Sequence, residues 1–263
     1  MNRLFRYLKL YKRILSFAIM KATAYGQDFF VWSMVDTVWA VVNLGFFWIL
    51  FQRIPTISGW TFAEMTIPLG MFYLLNMFLW GFMYGNMRQI PYDINQGELD
   101  IYLTKPVNSQ FLISTRFVSL SLLPSLATGL ILLKYGFAAN NINGLRILVI
   151  PVGLLAAILI SYSLWFISVT TAFWFNRLRN IGEVFGQASD IARYPTGIFS
   201  PVLRFIFTFV LPFGLIGFVP AEVILGRAGL VKMLLPLTAG IVLLYLSHRF
   251  WNFSLKRYSS ASS

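Results

Sequence analysis

Apolar residues run along this chain in blocks too long for the core of a soluble domain, and the polar residues collect between them. Residues 29–51 and 65–87 each form a block of 23 positions, about the length of helix that crosses roughly 30 Å of hydrocarbon with some tilt. A third block, 111–133, carries Arg116 near its start and a kink predicted at Pro124. The fourth, 145–175, is longer than a bilayer needs and is predicted to project past it as helix. The fifth, about 202–219, is short and interrupted by Pro212, Gly214 and Gly217, and it leads through Val219, Pro220, Ala221 and Glu222 to Gly226. A broken span followed by an outer half-helix or re-entrant hairpin around Pro220 and Glu222 fits, because irregular backbone at membrane depth must be shielded by protein or line a cavity. The sixth block is about 229–251. Before the first block, Arg3, Arg6, Lys9, Lys12, Arg13 and Lys21 alternate with Leu4, Leu8, Tyr11, Leu15 and Ile19 at helical spacing. That pattern predicts an amphipathic helix lying in the membrane interface, with a solvated basic tail as the alternative. The chain therefore divides into an interfacial segment, 1–28, and a single six-span domain, 29–263, of an all-α polytopic membrane protein.

One polar island stands apart. Residues 88–110, RQIPYDINQGELDIYLTKPVNSQ, hold three of the nine acidic residues, Asp93, Glu98 and Asp100, between the second and third blocks. The pattern suits a short helix at the membrane surface, with Ile94, Leu99, Ile101 and Leu103 packed inward and Asp93, Glu98, Asp100 and Lys105 free to meet a soluble partner. Within the blocks, Asp36 and Asn43 lie seven residues apart on one helical face. An ionisable group at that depth faces other helices or water and is a functional candidate by default. Asp36 also lies only about 10 Å from the start of its span, so reach to the interface or pairing with a neighbouring helix remains open beside a functional role. Gly81 and Gly85 form a GxxxG pair whose simplest use is close packing within the chain.

Composition agrees. Of 263 residues, 58% are hydrophobic and 11% charged, against about 25% charged in soluble domains. The net charge of +12 reports basic loops of a membrane protein rather than nucleic-acid binding, since no basic cluster lies in a segment able to fold outside lipid. Sorted by the six-span topology, 16 Lys and Arg fall on the side of both termini and of the island, and 5 on the other. The positive-inside rule then places both termini in the cytoplasm of a plasma (inner) membrane protein whose first span serves as an uncleaved signal anchor. With no Cys and one His, thiolate and histidine-built metal sites are not expected, and His248 reads as an interfacial side chain. The nucleotide-cradling GxxxxGK[ST] loop, HExxH and GxSxG are all absent. Glu98 and Asp100 would point away from each other on a helix, so no acid–base pair is expected. The chain is thus not expected to be an enzyme or to carry a cofactor of its own. An ion-coupled secondary carrier is the alternative class, weakened because Asp36 is the only acidic residue plainly inside a span.

The order of parts resembles the membrane subunit of type-2 ATP-binding cassette (ABC) exporters, over nearly the whole chain. More narrowly, Gly97, Leu99, Asp100, Leu103, Lys105, Pro106 and Val107 match the G-x-L-D-x-x-L-x-K-P-V segment of a bacterial branch of that family. Arg193-Tyr194-Pro195, Leu211-Pro212 and Phe218-Val219-Pro220-Ala221 match pieces of the same branch. The resemblance implies a permease that pairs with a second, identical or related permease and with two cytoplasmic ABC ATPase subunits, which bind the ATP. It further implies that Tyr92 to Lys105, with Tyr92, Asp93, Gly97, Glu98, Leu99, Asp100 and Lys105 followed by Pro106, form the coupling helix that sits in a cleft of the ATPase, while the hairpin around Pro220 and Glu222 helps to close the exit.

Overall fold

A computed structural model describes residues 3–142, 144–175 and 181–258. Asn143, Asn176, Arg177, Arg179, the side chain of Glu183 and the serine-rich tail beyond Tyr258 lie outside the described residues. The described chain is helical: α1 (Arg3–Ala24), α2 (Gly26–Arg53), α3 (Phe62–Gln96), α4 (Ser109–Thr115), α5 (Leu123–Ala139), α6 (Gly144–Phe173), α7 (Ile181–Ala188), α8 (Pro201–Val210), α9 (Phe213–Ile224) and α10 (Leu230–Leu255). Four of these, α2, α3, α6 and α10, are long and apolar enough to cross a membrane, and α8 with α9 forms a fifth candidate bent by 79°. The shorter α5 is apolar as well.

The centre of the bundle is α3. Thr61 and Glu64 start it with reciprocal hydrogen bonds, Thr61 N donating to Glu64 Oε2 at 2.9 Å and Glu64 N to Thr61 Oγ1 at 3.4 Å. Its start at Phe62 places Pro68 in the second turn. Along one face it packs on α5, closest where Gly70 meets Gly129: a Cβ on Gly70 would come within 3.0 Å of the Gly129 carbonyl, so only bare backbone fits. The second close pair is α6 with α10. By contrast α2 buries only the stripe Asp36, Ala40 and Phe47 and turns Val31, Trp39, Val42 and Trp48 outward, as a helix bathed in lipid does.

Contacts sort the turns into two ends. At the distal end, Asn140 donates to the Ala63 carbonyl, Arg227 pairs with Glu64, and Arg146 donates to the Ile224 carbonyl. At the other, Trp251 Nε1 donates to Ser109 Oγ, and Phe173 packs on Trp251 and Tyr258.

The structure departs from the sequence expectation in three places. First, the island does not begin a new helix at residue 88: α3 continues from the second apolar block to Gln96, widening into a π-helical turn at Leu79–Met83. Second, the third block is broken rather than kinked. After α4 the chain is unwound over 116–122, and Pro124 opens α5 near its first residue, where its missing N–H costs least. Third, residues 181–198 are not a loop at one end. They leave Phe173, pack Phe185 on Trp165 and Tyr194 on Phe47, and reach Ser58 at the distal end with Gly197. The segment 201–224 then starts and finishes at that distal end. Its turn at Leu211 and Pro212 is carried inward until Phe213 packs on Phe185 at 5.6 Å. The broken fifth block is thus a helix pair bent by 79° whose two ends lie together, and the preceding polar segment runs between the two ends of the bundle.

Candidate functional site

The end of α3 builds the surface that the sequence marks as a candidate for docking. Gly97 stops the helix in the left-handed region, φ 75°, which favours glycine, and its neighbour Glu98 donates its amide to the Asp93 carbonyl at 2.9 Å. Leu99 is completely buried and pins the following single turn, Asp100–Leu103, against the bundle. Asn108 then caps α4 by accepting the Phe111 amide at 2.9 Å, and its own amide donates to the Tyr7 hydroxyl, so α1 is fastened to this loop. What this leaves facing out is Tyr92, Glu98, Ile101, Lys105 and Pro106, with Tyr92 46% and Ile101 58% exposed.

Two expectations for this surface change. Ile101 faces outward rather than packing inward, because the helix breaks at Gly97 and the next turn starts in a new register. Asp93 is 1% exposed and faces inward: Arg116 pairs with it and Gln89 Nε2 donates to it at 3.2 Å. A buried carboxylate with those partners has no free face for a soluble protein. Asp100 lies beside Tyr258, whose hydroxyl is pushed above the ordinary phenol value by burial, with the Asp100 charge adding to the shift.

Behind the surface stands a set of polar ties with little signal in the sequence beyond amides in apolar runs. Asn86, fully buried, holds the unwound segment as a backbone would. Its Oδ1 accepts the Phe117 amide at 2.9 Å while its Nδ2 donates to the Phe117 carbonyl at 2.8 Å. The Ser119 amide donates to the Gly81 carbonyl at 2.7 Å in the wide turn of α3. Gly81 and Gly85 therefore serve packing within the chain, against Ser119 and Phe117. Arg116, which pairs with Asp93, also stacks over Tyr102 and Phe117, at 4.6 and 5.1 Å from the ring centroids. Gln110 donates to Tyr162 of α6 and Ser247 of α10 and meets His248 Nδ1 at 2.9 Å. Because the Asn252 amide faces His248 Nε2 at 3.0 Å, that network assigns the proton to Nδ1 and makes His248 a link rather than a ligand.

Deeper in the bundle Asp36 and Asn43 of α2 each find a partner. The Asp36 carboxylate accepts the Ser125 amide at 2.8 Å and its hydroxyl at 2.7 Å, so a side chain of one helix caps the broken start of another, α5. Asn43 accepts from Arg193 at 2.5 Å, and Arg193 also pairs with Asp190 at 3.0 Å. Pairing with a neighbour is therefore what the structure shows for Asp36. At the distal end Pro220 packs against Gly153, and Glu222 forms an ion pair with Lys232.

Four helices long and apolar enough to cross a membrane, with a fifth, bent candidate, define an integral membrane protein. The chain matches the family described as ABC-2 family transporter protein over residues 37–262 and belongs to that family. It is an integral membrane permease of the ABC transporter type, a kind of subunit that typically has no catalytic activity. Neither the curated proteins nor the solved structures hold a match to it.

Proposed function

We propose that this chain is the membrane subunit of an ATP-driven exporter, with its docking end in the cytoplasm, seated on ABC ATPase subunits and paired with a second permease, identical or related, in the plasma (inner) membrane. The observation that carries the reading is the run of exposed side chains Tyr92, Glu98, Lys105 and Pro106 just beyond the end of α3, a helix continuous to the distal end. A push on that surface acts on α3 directly and, through the Asp93–Arg116 pair and Asn86, on the unwound third crossing. The motif likeness over Gly97 to Val107 falls on this same loop. Charge supports the sidedness: with Arg193 and Arg204 taken away from the docking side, 12 of the 19 Lys and Arg among the described residues still lie there. The second permease has a physical rationale too. Gln187 is exposed and Asp190 partly exposed on the traverse 181–198, and ionisable groups at such depth face a partner or an aqueous path rather than lipid. The hairpin from Phe213 to Ile224 then closes the exit at the distal end.

Glu98→Lys combined with Lys105→Glu tests this. Coexpressed with its ATPase, the variant inserts and purifies normally but retains about tenfold less ATPase and loses export, because two exposed charge contacts become repulsive. The isolated chain hydrolyses no ATP. Normal ATPase retention and export by the variant would refute the docking surface.

A further inference from the structure

A cavity of about 650 Å³ opens among α1, α3, α4, α6 and α10, within the roughly 300–1,000 Å³ range of small-molecule sites. Its lining includes no Lys, Arg, Asp or Glu. The polar side chains gather at one level, Gln110 and Ser114 from α4, Tyr162 from α6 and His248 from α10, joined by hydrogen bonds. The apolar part lies deeper. Ile158 stands one turn before Tyr162 on α6, and Leu244 and Ile241 stand one and two turns before His248 on α10, toward the distal end. Ile241 and Tyr245 are 59% and 60% exposed, so the cavity opens sideways through the wall of the bundle.

At the polar level one donor is left over. Both N–H groups of the Gln110 amide are paired, with Tyr162 and Ser247 at 3.1 and 3.2 Å, and its oxygen faces His248 Nδ1. Ser114 and Tyr162 share a single hydrogen bond of 3.0 Å. Whichever of them donates, the other keeps an O–H with no acceptor among the described residues, although Ser114 is only 6% exposed. Tyr11 of α1 brings a further hydroxyl to the lining, and burial pushes its phenol above the ordinary value. A buried donor left unmet is costly, so the cavity calls for an acceptor oxygen. With no cation on the lining, that oxygen belongs to an uncharged group.

We propose that this cavity holds an uncharged acylglycerol from the leaflet at the Ser109–Trp251 end, its ester and hydroxyl oxygens on Ser114, Tyr162 and Tyr11 and its chain running past Leu244 toward the middle of the bundle. A phosphate-bearing lipid fits less well, because its charge would leave water for a lining that cannot neutralise it. The occupant also steadies α1: the Asn108 amide donates to the Tyr7 hydroxyl at 3.1 Å, and Tyr7 packs edge-on against Phe111, which lines the cavity. The proposal goes beyond the transport reading, and its test uses the isolated full-length chain without ATPase, so either can fail alone.

The chain, purified in detergent, is titrated with monooleoylglycerol and with oleoyl-lysophosphatidate, which differ by one phosphate, and read by native mass spectrometry. Wild type retains the acylglycerol preferentially. Tyr11→Phe weakens that retention about fivefold, the loss of one hydrogen bond of about 1 kcal/mol. Leu244→Trp fills the apolar part and abolishes it, with the melting temperature of the lipid-free chain unchanged. Leu246→Trp, on the exposed face of the same helix, changes nothing. Equal retention of both lipids, or retention that survives either cavity variant unchanged, overturns the proposal. Stronger retention of the lysophosphatidate overturns it too, since that reports a site for charge.

Discussion

Removing one member of the Asp93–Arg116 pair exposes the logic of the docking end. Asp93 and Arg116 have side chains 2% and 9% exposed, so Arg116→Met leaves a buried carboxylate with only the Gln89 amide for company. Breaking a buried pair this way costs about 3–5 kcal/mol, whereas replacing both members with apolar side chains is often neutral. At about 2–4 °C per kcal/mol for chains of this order of size, Arg116→Met lowers the melting temperature by on the order of 10 °C. Asp93→Leu alone costs less, because Arg116 keeps its stacking on Tyr102 and Phe117. The double variant Asp93→Leu, Arg116→Met recovers most of the loss. The assay is fluorescence-detected thermal unfolding of the detergent-solubilised chain, run as a double-mutant cycle. Additive losses would refute the pair. So would an Asp93→Lys variant of unchanged stability, since that side chain would then face outward.

Two further outcomes follow from the same contacts. Asn86→Leu removes both hydrogen bonds to Phe117 and leaves buried backbone groups unpaired, a loss of about 2–4 kcal/mol; amide exchange at Phe117 then rises well above wild type, and unchanged exchange would show that the tie is not needed. A cysteine at Gly197 or Ser58 reacts with a membrane-impermeant maleimide from outside intact cells, and one at Glu98 does not. Labelling of Glu98 from outside, or protection of Gly197 while Ser58 reacts, contradicts the traverse by 181–198.

Much of the fold is readable from apolar runs, because lipid imposes length and composition on a crossing more strictly than water does on a soluble helix. The ends of α2 and α10, the helix α1 and the break at Leu211 and Pro212 are legible that way. The traverse 181–198 is not. Gln187, Asp190 and Arg193 give it the look of a loop, and the contacts that make those charges tolerable are Asn43, 150 residues away, and a carboxylate one turn back. The break in the third block is hidden for the same reason: its residues read as one largely apolar run, while Asp36 and Asn86, which satisfy its freed backbone, sit on other helices. At the docking end Gly97 and its flanking motif are visible, but the orientation of Asp93 depends on a partner 23 positions on. Likewise Gly81 and Gly85 catch the eye as a spaced pair, yet the glycines that meet backbone to backbone across two helices are Gly70 and Gly129, which no local spacing connects.

The unbroken course of α3 has a mechanical corollary. Its 35 residues amount to a strut of about 50 Å, and only one turn of it, at Leu79–Met83, is wound more loosely than the rest. A twist applied at Tyr92 would pass through that turn before it reaches Glu64 and its ion pair with Arg227 at the distal end. Tightening that turn by deleting one residue would rotate the two halves of the strut by about 100° relative to each other, turning the face that carries Tyr92 out of register with the one that carries Glu64.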